Sequence, residues 1–329
     1  MINVVRLSDI DKIFKRYHDW SGADGIYTYN YNGEILMYFS DTFIGDSNKL
    51  DERISFELIN NSLAISDIKL NNINFIYPNN PLKSVFIPKQ GYYWLEDGII
   101  ENDKLFIYAL RMYNDIFSNK IFEIKAIDLI ELDLPFYNKI NYKTYEISNY
   151  EIDNIVLGIA LIKEGEYYFI YGYINDGHNK KLILARTKSL VNKEYEYLNK
   201  NGEFSKSKDN LMILKENFAA ESKIVKIKDK YYMAYTKNSI GKDIYLLVID
   251  DLFKLYDKEV HLYECEEQKG NIICYNSKIQ CALSNEEELV ITFNVNTLVN
   301  EEHKNLDIYR PRFIKVRLED VNNEITKCY

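Results

Sequence analysis

Five short runs of aromatic and β-branched residues limit what this chain can fold into. They are residues 35–39 (ILMYF), 105–109 (LFIYA), 167–171 (YYFIY), 231–235 (YYMAY) and 289–293 (LVITF). Each is apolar, short and bounded by polar or Gly-containing turns, which is how a strand reads. Another strand-like segment precedes each run, across a tight polar turn. The turn tips are Tyr31-Asn32-Gly33-Glu34, Glu101-Asn102-Asp103-Lys104, Lys163-Glu164-Gly165-Glu166, Lys228-Asp229-Lys230 and Asn285-Glu286-Glu287-Glu288. Asn, Asp and Gly tolerate the positive φ that tight hairpins require.

One unit thus recurs five times, at intervals of roughly 60 to 70 residues. No segment of any length shows a persuasive 3.6-residue period. Strand units repeated without helices predict an all-β fold by radial repetition, a five-bladed β-propeller filling residues 1–329 as a single domain. Residues 2–7 (INVVRL) are expected to pair near residues 314–318 (IKVRL) and close the last blade. Residues 114–120 and 254–259 read as connections between blades, and residues 193–215 as a long polar loop carrying a hairpin.

The 329 residues carry 41 Lys and Arg against 50 Asp and Glu, a net charge of −9. This acidic balance argues against a nucleic-acid partner, whose backbone is bound by clustered cations. No run of about 18 apolar residues is present, so no membrane span is expected. The N-terminus, MINVVRLSDIDKIFKRYHDW, lacks the pattern of a secretory leader, and the chain as written reads as cytoplasmic. Cys265, Cys274, Cys281 and Cys328 form no C-x-x-C and read as thiols, not as a disulfide framework. There is no P-loop, G-x-G-x-x-G, H-E-x-x-H or G-x-S-x-G. Asp176 lies in no calcium-loop spacing, and His178, in Asn175-Asp176-Gly177-His178, reads as a turn residue. No cofactor or dedicated metal site is expected. A structural ion in the central channel would be compatible with the architecture.

In a propeller the starts of the inner strands converge on one channel mouth. The aligned repeats there read Ser21-Gly22-Ala23-Asp24-Gly25, Trp94-Leu95-Glu96-Asp97-Gly98 and Ala219-Ala220-Glu221-Ser222. Blades three (Val156-Leu157-Gly158) and five (Tyr275-Asn276-Ser277) carry no acid. Carboxylates gathered in one pocket are costly unless they bind something or raise one another's pKa. Carboxyls with split pKa values are what glycosidic cleavage needs. The plainer alternative is that these acids cap turns. Blade one adds Asp41, in Met37-Tyr38-Phe39-Ser40-Asp41-Thr42-Phe43-Ile44-Gly45. Asp24 begins one strand and Asp41 ends its hairpin partner, so an antiparallel pair sets both at one rim.

The segments G-A-D-G (22–25) and S-D-T-F-I-G (40–45) resemble the opening of a family of five-bladed propellers long classed as a domain of unknown function. That family includes the bacterial endo-D-arabinanases. W-L-E-D-G-I-I with K-L-F-I-Y, A-A-E-S-K-I-V with K-Y-Y-M-A-Y-T, and Y-R-P-R-F-I-K-V (309–316) are similar in rhythm. The resemblance implies a retaining glycosidase with Asp24 as acid/base and Asp41 as nucleophile.

Trp94 and Trp20 flank the acid-bearing positions, where an indole either stacks on a sugar or fills a gap between blades. Arg186 reaches the mouth or snorkels to solvent. Arg310 and Arg312 flank Pro311, one near the pocket and one facing solvent. Asp97 and Glu221 would tune pKa values or bind sugar hydroxyls. The leading expectation is hydrolysis of a furanoside-containing or related glycan, and the resemblance implies an arabinan-like one. The alternatives are a glycoside phosphorylase of the same fold, needing a basic cluster among Arg186, Arg310 and Arg312, and a non-catalytic propeller binding glycan or protein.

Overall fold

A computed structural model describes residues 2–115, 120–137, 139–177 and 179–328. His178 lies outside them. All strand neighbours are antiparallel, in six sheets. Five sheets of four or five strands follow one another along the chain. The first contains Tyr27–Tyr31, Glu34–Phe39, Ser62–Asp67 and Asn74–Ile76. The second contains Tyr92–Glu101, Lys104–Asp115, Lys120–Asp133 and Tyr142–Asn149. Ile155–Glu164, Tyr167–Asp176 and Asn179–Thr187 lead the third, followed by the short pair Glu196–Leu198 and Phe204–Ser205. The fourth runs from Ile224–Ile227 through Lys230–Thr236 and Asp243–Ile249 to Glu259–Glu264.

The fifth contains Ile272–Ile279, Glu288–Thr297 and Arg310–Arg317. Its outer strand is Val4–Arg6, paired in the register Val4 to Val316 and Arg6 to Ile314. The sixth is a three-stranded extension of the first: Trp20–Ala23, Thr42–Ser47 and Arg53–Ile59.

Each of the five aromatic runs is the second strand of its sheet, where its side chains are covered on both faces. The tips behave as their residues dictate. Asn32 and Gly33 sit at φ 51° and 83°, and Asn102 and Asp103 at 50° and 55°. Such left-handed pairs match the twist of the flanking strands.

Three expectations need correction. Residues 254–259 join two strands of the fourth sheet and do not link sheets. Asn114 and Lys120 belong to the facing strands of one hairpin in the second sheet, whose 12- and 14-residue strands outrun the apolar pattern; residues 116–119 lie outside the described residues. A helix, Leu318–Cys328, closes the chain and buries Leu318, Val321 and Ile325. One helical stripe of three apolar residues is a weak periodic signal in an otherwise polar stretch.

The inner strands share one irregularity. In the first sheet the inner strand breaks between Ala23 and Tyr27. In the second, Leu95 pairs with Ala109 and Gly98 with Ile107, which leaves Glu96 and Asp97 opposite Tyr108 alone. In the third, Gly158 and Ile159 have no partner between the Leu157 and Ala160 pairs. In the fourth, strand pairing begins only at Ile224, after Glu221. In the fifth, Asn276 and Ser277 bulge between the Tyr275 and Lys278 pairs. A bulge or break re-aims side chains, and four of these five interruptions direct a side chain toward a common space.

Beneath that level the sheets are bolted together. The buried Asp97 carboxylate accepts hydrogen bonds from Tyr29 of the first sheet (2.7 Å), Leu161 N–H of the third (2.8 Å) and the ammonium of Lys223, just ahead of the fourth (2.6 Å). Gln280 Nε2 donates to Ile26 O (3.0 Å), which ties the fifth sheet back to the first.

Candidate active site

Four of the five irregularities line a cavity of about 400 Å³, within the size range of small-molecule sites. Asp24, Glu96, Glu221 and Asn276 line it, one from the break in each of four inner strands. In the third sheet the corresponding residue is Gly158, at φ +99°, where a Cβ would lie 2.2 Å from the Tyr108 side chain. Only glycine fits there, and that position sends no side chain into the space.

Asp24 and Asp41 face each other across the kink of the first sheet. Asp24 N–H donates to Asp41 O (3.1 Å) and Ser40 N–H donates to Asp24 O (3.0 Å). Gly25 makes the kink possible, because its φ is +62° and a Cβ would sit 2.7 Å from Ser40 Oγ. Asp24 Oδ2 accepts from Tyr275 (2.7 Å) and Tyr309 (3.2 Å), while its Oδ1 is shut from solvent without a partner. Asp41 stands just behind the cavity wall, 8% exposed. Its Oδ1 accepts from Asn60 Nδ2 (3.0 Å), and the Trp94 indole, which does line the cavity, also hydrogen-bonds to it.

Electrostatics separate the two carboxyls. Burial, then the charges of Asp41 and Glu221, hold the Asp24 pKa well above the usual carboxylate range against its two tyrosine donors. Burial also raises Asp41, but Asn60 and Trp94 stabilise its anion and it reaches only about 6. The neutral form is therefore favoured at Asp24, while Asp41 is able to ionise at about pH 6. Glu96, 2% exposed, is likewise pushed well up by burial and by Glu221. Glu221 is paired with the fully buried Lys278 (2.6 Å), whose ammonium lies 3.8 Å from the Tyr27 ring centroid.

The remaining walls divide by chemistry. Trp94 stacks on Phe122 with centroids 5.4 Å apart and planes at 28°, and Leu110, Met112 and Ile124 extend that apolar side. Opposite in character are Asn175, Lys180, Ser239 and Asn276. Both polar atoms of the Asn276 side chain are buried without partners, and so is Glu96 Oε2. Asn276 and Tyr309 hold φ of 62° and 65°, backbone values that cost a non-glycine residue energy and cluster at functional sites. Among the described residues no three His, Cys, Asp or Glu side chains converge to hold a metal ion.

Of the residues singled out from the sequence, Asp24, Trp94 and Glu221 line this cavity and Asp41 adjoins it. Asp97 does not. It is turned from the cavity into the Lys223 ion pair, and its neighbour Glu96 takes the place assigned to it. Arg186 is also elsewhere, bonded to Glu196 (2.8 Å) and held between the rings of Tyr167 and Phe204 at 4.3 and 4.2 Å. Arg310 donates to Asp11 O (2.8 Å) and pairs with Asp307. Arg312 donates to the carbonyls of Arg310 and Asp307, so neither arginine is near the site. Trp20 is core, stacked on Phe75 at 4.3 Å. Asn60, Lys180, Lys278 and Tyr309 were not singled out from the sequence, because long-range packing alone brings them in. Strand parity offered a signal for Glu96, since Trp94 and Glu96 lie two apart and share a face.

A family described as "Domain of unknown function (DUF5005)" matches residues 8–320. The chain belongs to that family. None of the curated proteins matches this DUF5005 member in sequence. Among solved structures it is similar to a "putative hydrolase" from Bacteroides ovatus ATCC 8483, with a TM-score of 0.77 and 20% identity over 95% of this chain and 90% of that one. It is similar to the α-L-arabinofuranosidase CtGH43 from Clostridium thermocellum, at TM-score 0.53 and 13% identity, covering 89% of each chain. It is also similar to the α-L-arabinofuranosidase PaAbf62A from Podospora anserina, at TM-score 0.52 and 10% identity, covering 91% and 97%. At these identities the likeness is one of fold: the DUF5005 chain has an all-β, propeller-like architecture.

Proposed function

We propose that this DUF5005 protein is a retaining glycoside hydrolase, with its five larger sheets as the blades of one five-bladed propeller domain. The observation that carries the reading is the Asp24–Asp41 pair. Two carboxyls sit on facing rungs of one kinked strand pair, one with its neutral form favoured by burial and the other able to ionise at about pH 6. Glycosidic cleavage asks for that division of labour, and the family resemblance favours its retaining form. Asp24 delivers its proton to the leaving oxygen as the glycosidic bond breaks. Asp41 attacks the anomeric carbon and forms a covalent glycosyl ester. Asp24, now a carboxylate, takes a proton from the water that hydrolyses the ester.

The unpartnered buried atoms of Asp24, Glu96 and Asn276 suit a ligand dense in hydroxyls, because each would otherwise forfeit a hydrogen bond. Trp94 and Phe122 offer an apolar ring face. The substrate is an oligo- or polysaccharide. A furanoside-containing, arabinan-like glycan is favoured by the resemblance to the endo-D-arabinanase group and by neighbours named as arabinofuranosidases. Phosphorolysis is the weaker reading, since Arg186, Arg310 and Arg312 are all engaged away from the cavity. Turnover of a panel of nitrophenyl furanosides, nitrophenyl pyranosides and cell-wall polysaccharides, with the anomer of the first product read by NMR, tests the proposal. Retention supports it. Inversion removes the nucleophile role, and turnover that requires added phosphate favours the phosphorylase.

A further inference from the structure

Lys180 lines the cavity from the strand Asn179–Thr187, the third strand of its sheet and so two strands outward from the axis. Its Nζ donates to Asn175 Oδ1 (2.6 Å) and Gly177 O (3.1 Å), both uncharged. Asn175 is itself fixed, donating through Nδ2 to Tyr150 (2.7 Å), and the ammonium lies 5.3 Å from the Tyr173 ring centroid. No carboxylate of the described residues is paired with Lys180. The other two lysines nearest the axis differ: Lys223 is paired with Asp97 and Lys278 with Glu221. Burial alone pulls the Lys180 pKa below its ordinary value. A half-buried ammonium fixed at the cavity wall, with no carboxylate partner among the described residues, is placed to donate to an anion bound there.

Resting on the glycosidase reading, we propose that the sugar residue bound in this cavity carries an anionic group, a carboxylate or a phosphate ester, and that Lys180 binds it. The cavity's acids do not oppose this. Burial favours the neutral carboxyl at Asp24 and at Glu96, and Glu221 is compensated by Lys278. Lys180 also stands on a different sheet from Asp24 and Asp41, so it reads a substituent and leaves the scissile bond to the first sheet.

The test is equilibrium binding to the full chain by calorimetry, which does not depend on turnover. The ligands are methyl glucuronide, methyl galacturonide and arabinose 5-phosphate, each beside its neutral parent, with inorganic phosphate alone as a further arm. The proteins are wild type, Asp24→Asn, Lys180→Met and Lys180→Arg. At least one charged sugar should bind about tenfold or more tighter than its parent, a gap typical of a charge-assisted hydrogen bond. That preference should persist in Asp24→Asn, vanish in Lys180→Met, and return in part in Lys180→Arg. Preference for the uronides or for the phosphate ester identifies the source of the anion. Equal binding of charged and neutral sugars, no binding of either, a preference that survives Lys180→Met, or binding of inorganic phosphate as tight as that of the sugar phosphate would each overturn the proposal. Because Asp24→Asn is inactive under the glycosidase reading but keeps this preference, failure of one idea is separable from failure of the other.

Discussion

As the proposed nucleophile, Asp41 would couple activity to stability through a single carboxyl. In the fold it titrates at about 6, against about 4 in an unfolded chain. The folded state therefore binds more protons between those values, and the stabilisation is complete below about pH 4 and lost as pH rises through about 6. Roughly 3 kcal/mol is at stake. Asp41→Asn should raise the melting temperature at pH 7 to 8 and leave it nearly unchanged at pH 4, as thermal denaturation at the two pH values would report. Burial raises Asp24 as well, so Asp24→Asn should stabilise in the same direction. The same split sets the rate profile. Activity should rise through about pH 6 as Asp41 ionises and fall at higher pH as Asp24 loses its proton. A profile flat from pH 5 to 7 would contradict the assignment of Asp41 as the working anion. The pair itself was legible, since two acids at the ends of hairpin partners must meet. The choice of Asp97 over Glu96 went wrong at a bulge: alternation puts Glu96 with Trp94, while the extra residue swings Asp97 to Lys223.

The inner strands do two jobs on successive residues. Glu96 serves the cavity and Asp97 holds sheets together one residue later. Asp97→Asn should cost about 3 to 5 kcal/mol, because Lys223 is left buried without a counter-charge. Asp97→Asn combined with Lys223→Met should recover much of that loss, measured by urea denaturation; a single variant as stable as wild type would remove the role. Second strands were readable because aromatic runs between left-handed Asn and Gly tips have few other structures open to them. Connections were not. The 104–133 hairpin runs on past both of its neighbours, whose pairing stops at Met112 and at Ala126, so its polar end is held by its own two strands and no apolar run marks it. Lys180 was hidden because the distance between sheets is not written in its strand, whereas Asn276 lies in the blade-five repeat already placed at the mouth.

At the scale of the molecule, the chain ends meet. Val4–Arg6 supplies the outer strand of the sheet built from Ile272–Ile279 onward, and Arg6 forms an ion pair with Glu267. Deleting residues 1–7 should lower the melting temperature by several degrees and keep a single calorimetric transition, as one cooperative unit requires. Two resolved transitions in the intact chain would argue for separable halves. The account rests on two aspartates at the head of the first sheet cutting a glycosidic bond. The most direct measurement is turnover of the glycan panel by wild type, Asp24→Asn and Asp41→Asn, with circular dichroism showing all three folded. Activity in the wild type that drops by a factor of about 10³ or more in each variant is the predicted result. Equal turnover by the three folded proteins would contradict it.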